Sequence, residues 1–204
     1  MAYQYANKQE ALLAKVKGKT GKISDKTHEE HLKLYTGYVN KTNTILRELE
    51  ELAKVLDPAN VAHANQIYSE LRTRKVEFSF ALGGVINHEI YFSVMGGKGG
   101  SPTGPVADLI TKSFGTFEAY KKDLKASAIA ARGWAWTGYS PDTGLLFNYV
   151  GDGQNTYLVW GVKPILALDV YEHAYYADFF TARGAYVDEF MNWVDWDQVN
   201  TYLA

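Results

Sequence analysis

Downstream of Ser24, apolar or partly apolar positions recur at spacings of three and four: Leu32, Tyr35, Val39, Thr42, Leu46, Leu49 and Ala53. That rhythm predicts an amphipathic helix, with Ser24 as its N-cap, Asp25 placed favourably at the positive end of the dipole, and Pro58 ending the pattern. A second amphipathic helix is expected from about Val61 into the seventies. A third covers EFSFALGGVINHEIYF (77–92), which is apolar nearly all round and therefore expected to be buried. The Gly/Pro cluster MGGKGGSPTGP (95–105) breaks the pattern, after which VADLITKSF and TFEAYKKDLKASAIA read as two more helices. The period then changes. WAWTGYS, LLFNYV and TYLVWGV are short runs rich in aromatic and β-branched residues, separated by the turn formers PDTG and GDGQN, and predict three antiparallel strands. Helices are expected from about Tyr171 to the end, and the opening NKQEALLAKVKG reads as an amphipathic helix packed on the body. The fold class is therefore α+β: an N-terminal helical hairpin domain over residues 1–95, then a C-terminal α+β domain with a three-stranded antiparallel sheet over 96–204.

Composition narrows the function more than the fold. Apolar residues make up 47 % and charged residues 22 % of the 204-residue chain, as in an ordinary globular protein. With no cysteine, disulfides, thiolate ligands and cysteine nucleophiles are excluded, which suits the cytoplasm. The first residues lack the apolar core of a secretory signal, and no run approaches the roughly 20 apolar residues of a bilayer span. A net charge of −2 argues against nucleic acid as a partner. Neither a nucleic acid nor a membrane is expected.

The chemistry concentrates in the histidines: His28, His31, His63, His88 and His173. Three sit in apolar helical settings, where an unpaired imidazole is costly to bury. In LALDVYEHAYYADFF, Asp169 and His173 are four apart, so the start of a helix would place both on one face. A carboxylate with imidazoles and no sulfur suits iron, manganese or zinc. His28 and His63, among polar neighbours, read as satisfied core or surface residues.

DVYEHAYY resembles the DxWEHAYY signature of the iron/manganese superoxide dismutases, and the likeness extends over nearly the whole chain from about Ile23. ISDKTHEEH resembles the segment that supplies the family's first histidine ligand, YVNKTN its YVNxxN, and GGVINHEIYF its GGHxNHxxFW; FGTFEAYKKDL, GWAWTGYSPDTGLL and NW (192–193) follow in order. The resemblance implies a helical hairpin and an α+β domain with a metal site between them. It further implies one manganese or iron ion held by His31, His88, Asp169 and His173. The implied reaction converts two superoxide anions and two protons to dioxygen and hydrogen peroxide. By the same resemblance Gln154 is the amide beside the metal-bound solvent, Trp134 and Tyr171 form an apolar wall, and Arg183 lies near the channel. Glu172 and Tyr176 match residues that build a homodimer, or a dimer of dimers.

Four departures from the family pattern stand out. Tyr171 replaces the tryptophan of DxWEH, and its hydroxyl needs a partner. Val85 replaces the histidine or glycine of GGHxNH and carries no amide, so Gln154 alone remains for that role, which favours manganese over iron. Arg183 follows Phe179 and Thr181, which alter the family's YxNxR. Between His31 and the gateway tyrosine the family usually has seven residues, with a histidine midway; HLKLYTGY leaves six before Tyr38 and lacks that histidine. Tyr38 precedes VNKTN and is the preferred gateway, with Tyr35, one turn after His31, as its competitor. A metal-binding relative with a structural or other non-dismutase role is the alternative reading; a mononuclear iron oxygenase, with two histidines and one carboxylate, fits the four-ligand set poorly.

Overall fold

A computed structural model describes residues 3–204. Helix α1 (Gln9–Val16) precedes a long antiparallel pair, α2 (Asp25–Ala53) and α3 (Glu70–Ser93); α4 (Pro105–Phe114) and α5 (Phe117–Ala130) lead into strands β1 (Trp134–Ser140), β2 (Leu145–Gly151) and β3 (Lys163–Asp169). A 3₁₀ turn over Glu172–Ala174 and helices α6 (Tyr176–Phe179), α7 (Arg183–Met191) and α8 (Trp196–Thr201) close the chain. The architecture is the α+β one, with the helical part first and a three-stranded antiparallel sheet after it. Among the described residues, no helix is long and apolar enough to cross a membrane.

The start of α2 is dictated locally. The Ser24 hydroxyl accepts a hydrogen bond from the Thr27 N–H and leaves one orphan donor fewer at the helix terminus. Asp178, from the far end of the chain, accepts from Ser24 N and Thr27 Oγ1 and so pins the same terminus to the C-terminal half. The expected opening helix is α1, whose Leu12 and Val16 enter the common core.

The helix expected from Val61 does not form; turns occupy that stretch, and α3 begins only at Glu70, capped by Ser69. Side-chain oxygens of Asp57, Asn60 and Asn65 each accept from the backbone N–H two residues on, and these local turns compete with the helical ladder. A second correction concerns the sheet. TYLVWGV is not a strand: Tyr157 has φ 62° and Trp160 is 99 % exposed, so the segment has neither the extended backbone nor the burial of a strand. KPILALD is the third strand instead. Its Pro164 is tolerated because β3 lies at the edge in the order β2-β1-β3.

Register decides where the chemistry can be. Trp134, the first residue of β1, lies opposite Gly151 on one side and Asp169 on the other. The start of β1 and the ends of β2 and β3 thus meet at one end of the sheet. There α3 packs against β3, and the hairpin supplies its histidines.

His28 is a core residue despite its polar sequence neighbours, with no exposed surface. Its Nε2 lies 2.7 Å from Thr20 Oγ1, and because that hydroxyl donates to Ile23 O, the imidazole N–H donates to threonine and Nδ1 is left without a partner. Burial, reinforced by the nearby His31, lowers its pKa to about 4. The unfolded chain therefore takes up a proton near pH 6.5 that the folded chain resists, so stability falls as pH drops from about 6.5 to about 4 and levels off below. Urea titrations across that range should show wild type losing about 3 kcal/mol more than His28→Leu. Parallel losses in the two proteins would refute this origin.

Candidate metal centre

Four side chains from four places in the chain converge. His31 comes from the second turn of α2, His88 from near the end of α3, Asp169 from the last position of β3, and His173 from the 3₁₀ turn that follows. One donor atom from each lies within 4.8 Å of the other three. The shared focus is Asp169 Oδ2, which is 3.0 Å from His31 Nε2, 3.2 Å from His173 Nε2 and 3.6 Å from His88 Nε2. The second carboxylate oxygen accepts from the Tyr171 N–H at 3.0 Å and is thereby turned away from that focus. Asp169 and His173 do not share a helix face, as their four-residue spacing led us to expect; a strand end and a tight turn bring them together.

The orientation of the His88 imidazole has a local cause. His88 Nδ1 donates to Gly84 O, one helical turn back, at 2.6 Å, which fixes the tautomer and leaves a buried Nε2 with no hydrogen-bond partner. Burial, with the adjacent His31 adding to it, lowers the His88 pKa to about 3, and burial likewise lowers that of His31. Both are neutral at physiological pH, and the Nε2 lone pair of His88 is available. For Asp169 burial opposes the charge, but the hydrogen bonds from His173 and His31 outweigh it and hold the carboxyl well below the usual range. A buried carboxylate, neutral imidazoles and an orphaned ring nitrogen aimed at them form a donor set that fits a divalent or trivalent transition metal. Donors about 2.0–2.2 Å from a common centre would be roughly 3–4 Å apart, close to the spacing seen.

Tyr38 reaches this cluster and Tyr35 does not. Four residues along a helix rotate a side chain about 40° from His31, whereas seven return it to within about 20°. The Tyr38 ring lies 5.4 Å from that of His88, and its hydroxyl accepts from Gln154 Nε2 at 3.2 Å. The Tyr35 hydroxyl instead accepts from Lys8 N and donates to Glu89 Oε1, tying the N-terminal segment to the hairpin. Burial raises the Tyr38 pKa, against the opposing pull of the Gln154 hydrogen bond, so the phenol keeps its proton.

Gln154 is almost fully buried and held at both ends of its amide. Oε1 accepts from the Trp134 indole at 3.0 Å, which leaves Nε2 facing Tyr38; Asn87, itself held by the Trp136 indole, donates to the Gln154 carbonyl. Two helical glycines make the approach feasible. A Cβ at Gly83 would lie 2.3 Å from Gln154 O, and one at Gly84 2.5 Å from the Tyr38 ring. The sequence reading missed Asn87 and this glycine pair as site residues, although GGVINH contains all three. Val85 is buried in the core and offers no amide.

Trp134 packs edge-on against His88, and Tyr171 stacks on His173 at 5.4 Å. Arg183 is not in the groove that holds Tyr38. It lines a depression of about 630 Å³ beside His173, with Tyr171, Glu172 and Arg132, and donates to Ala131 O and Tyr175 Oη. His63 is at the surface, bonded to Asp57 N, and His28 lies outside the cluster.

The family described as "Iron/manganese superoxide dismutases, C-terminal domain" matches residues 102–202. An iron superoxide dismutase of Aquifex aeolicus is 40 % identical over 181 residues, covering 87 % of this chain and 83 % of that protein. A manganese superoxide dismutase of Halobacterium salinarum is 36 % identical over 172 residues, covering 84 % and 80 %. A superoxide dismutase of Aeropyrum pernix named for both metals is 35 % identical over 178 residues, covering 85 % and 78 %.

Removal of one donor should cost at least the 10- to 100-fold in metal affinity that loss of an outer hydrogen bond typically costs. His88→Ala and Asp169→Ala, assayed by elemental analysis after purification, should each carry far less than one ion per chain, while Tyr35→Phe should match wild type. Full loading of either alanine variant would remove that residue from the site.

Proposed function

The chain belongs to the iron/manganese superoxide dismutase family, and from that premise we propose that His31, His88, Asp169 and His173 hold its one redox ion, with Gln154 and Tyr38 controlling proton supply beside it. The enzyme is an oxidoreductase that acts on superoxide. The observation that carries the site assignment is the convergence of three imidazoles on Asp169 Oδ2, with His31, His88 and Asp169 fully buried and His173 partly exposed. A bound manganese or iron ion supplies one-electron chemistry and a positive charge that attracts the superoxide anion.

The protein's own residues do the rest. Asp169 balances part of the ion's charge, and the imidazoles bind through neutral nitrogens. Gln154 presents one uncommitted Nε2 hydrogen to the site and keeps Tyr38 hydrogen-bonded. Tyr38, which retains its proton at neutral pH, stands where a groove meets the cluster and is placed to donate. Trp134 excludes water from one side, and Tyr171 covers one face of His173. The groove, about 610 Å³ between α2 and α3, is bordered by Lys33, Lys41 and Arg74 as well as Glu48 and Glu77. Lys33 is paired with Glu30 and Arg74 with Glu48 and Glu70, so Lys41 is the cation best placed to draw an anion along it. Lys41→Glu should lower kcat/KM several-fold at low ionic strength, with the difference vanishing at high salt.

His173 differs from the other ligands. Its side chain is 31 % exposed, and the segment that follows it exposes Tyr176 (46 %) and Phe180 (66 %). A partly exposed ligand followed within a few residues by exposed aromatics supports a homodimer, or a dimer of dimers, with Glu172 and Tyr176 at the two-fold contact. A cysteine-free chain also suits a reducing compartment such as the cytoplasm.

The amide beside the site comes from Gln154, and we take manganese as the first metal to load. The deciding experiment is superoxide dismutation by separately manganese- and iron-loaded protein, with metal content measured on the same samples. Activity with manganese alone supports the full reading, and activity with iron alone reverses the metal assignment. Stoichiometric metal without activity in either form would overturn the proton-supply assignment of Tyr38 and Gln154.

A further inference from the structure

We infer that Tyr171 is a positioning residue whose hydroxyl ties the ligand-bearing segment after β3 to the turn that carries Gln154. The inference rests on the role proposed above for Gln154 and adds the part that holds it in place.

Tyr171 touches both segments. Its backbone N–H fixes Asp169 Oδ1 at 3.0 Å, and its ring stacks on His173 with an interplanar angle of 15°. Its hydroxyl donates to the carbonyl of Asp152 at 3.3 Å, two residues before Gln154. The hydroxyl end of the ring crosses the backbone at Gly133, where a Cβ would lie 2.8 Å from Cζ. The absence of a side chain at Gly133 is what lets the phenol reach the turn.

The turn's other restraints come from other parts of the chain, among them Ser79 on α3, whose Oγ accepts from Asn155 Nδ2 at 2.7 Å. Residues 152–155 lie just past the β2 end, where Gly133 N bonds Gly151 O and Arg132 N bonds Asp152 Oδ1. Gln154 is anchored through its own side chain and carbonyl by Trp134, Asn87 and Tyr38. Those contacts come from β1 and the hairpin. Among the described residues, the Tyr171 hydroxyl supplies the hydrogen bond that reaches this turn from the segment bearing Asp169 and His173. Any shift of that segment is thereby coupled to the position of the Gln154 amide.

Tyr171→Phe removes the hydroxyl and keeps the ring on His173. Tyr202→Phe, which removes a hydroxyl bonded to Ser93 away from the site, is the control. Two readouts on the metal-loaded enzyme test the tether. Hydrogen exchange of the peptide spanning 151–156 should rise about tenfold in Tyr171→Phe and stay unchanged in the control; unchanged exchange in both overturns the tether whatever Gln154 does. The pH dependence of activity should shift in Tyr171→Phe in the direction produced by Gln154→Ala, and the double variant should shift no further than Gln154→Ala alone. Additive shifts would show that Tyr171 acts independently of Gln154 and overturn the inference. If Gln154→Ala leaves the pH profile unmoved, the proposed role of Gln154 fails, and hydrogen exchange alone then decides the tether.

Discussion

Asp169 is a carboxylate with no solvent exposure, and the way the two halves of the chain meet follows from that single charge. An unpaired ion at such a place would cost many kcal/mol and would normally take up a proton instead. Here the carboxyl is held ionised by imidazoles delivered from α2 and from its own downstream turn, with a third, on α3, close behind. The hairpin therefore cannot slide along the sheet without stranding the charge. Apolar contacts between α3 and β3 tolerate small shifts, but the 3.0 Å hydrogen bond between His31 on α2 and Asp169 does not. Burial supplies the bulk of the stability, and the charge selects one docking geometry among those that burial permits.

Helix geometry imposes the next constraint. On a straight α-helix a seven-residue interval turns about 700° and leaves two side chains within about 20° of each other. The eight-residue interval usual in the family would leave them about 80° apart unless the helix were locally underwound or bulged. In this chain α2 runs unbroken from Asp25 to Ala53, and the interval from His31 to Tyr38 is seven. The missing residue is therefore what lets a regular helix place His31 and Tyr38 on the same side. Tyr35, about 40° the other way, is released to hold the N-terminal segment through Lys8 and Glu89.

Elements defined by their own periodicity and caps were legible from residues alone. The start of α2, the two helices after the glycine cluster, and β1 and β2 are cases where local preference and tertiary burial agree. The failures have a common origin in competition that a hydrophobicity pattern does not register. Asn60 and Asn65 look compatible with an amphipathic helix, yet their side chains satisfy the backbone locally and hold the chain in turns. TYLVWGV has strand composition but lies outside the sheet, whereas KPILALD, whose proline is compatible only with an edge, forms the third strand. All four candidate metal-site residues could be singled out from scarce histidines in apolar settings and from Asp169 lying near His173. Their grouping into one set came from the family resemblance, because no local rule joins residues 138 positions apart. Gly83 and Gly84 were invisible as site residues because their contribution is the absence of a side chain.

The uneven burial of the cluster bears on how an anion reaches it. His31, His88 and Asp169 have no exposed side-chain surface, whereas His173 is 31 % exposed at the depression lined by Arg183 and Glu172. A single chain thus offers two approaches, one at this depression and one along the α2–α3 groove that ends at Tyr38. Only the second passes a group placed to give up a proton. An anion arriving beside His173 would meet a ligand edge with neither Tyr38 nor Gln154 next to it, so efficient turnover requires that route to be closed. A second protomer seated over Glu172 and Tyr176 would close it and leave the groove as the entrance. On this argument the proposed dimer is part of the catalytic design, because it converts a site with two mouths into one whose single mouth is lined by the proton-bearing groups.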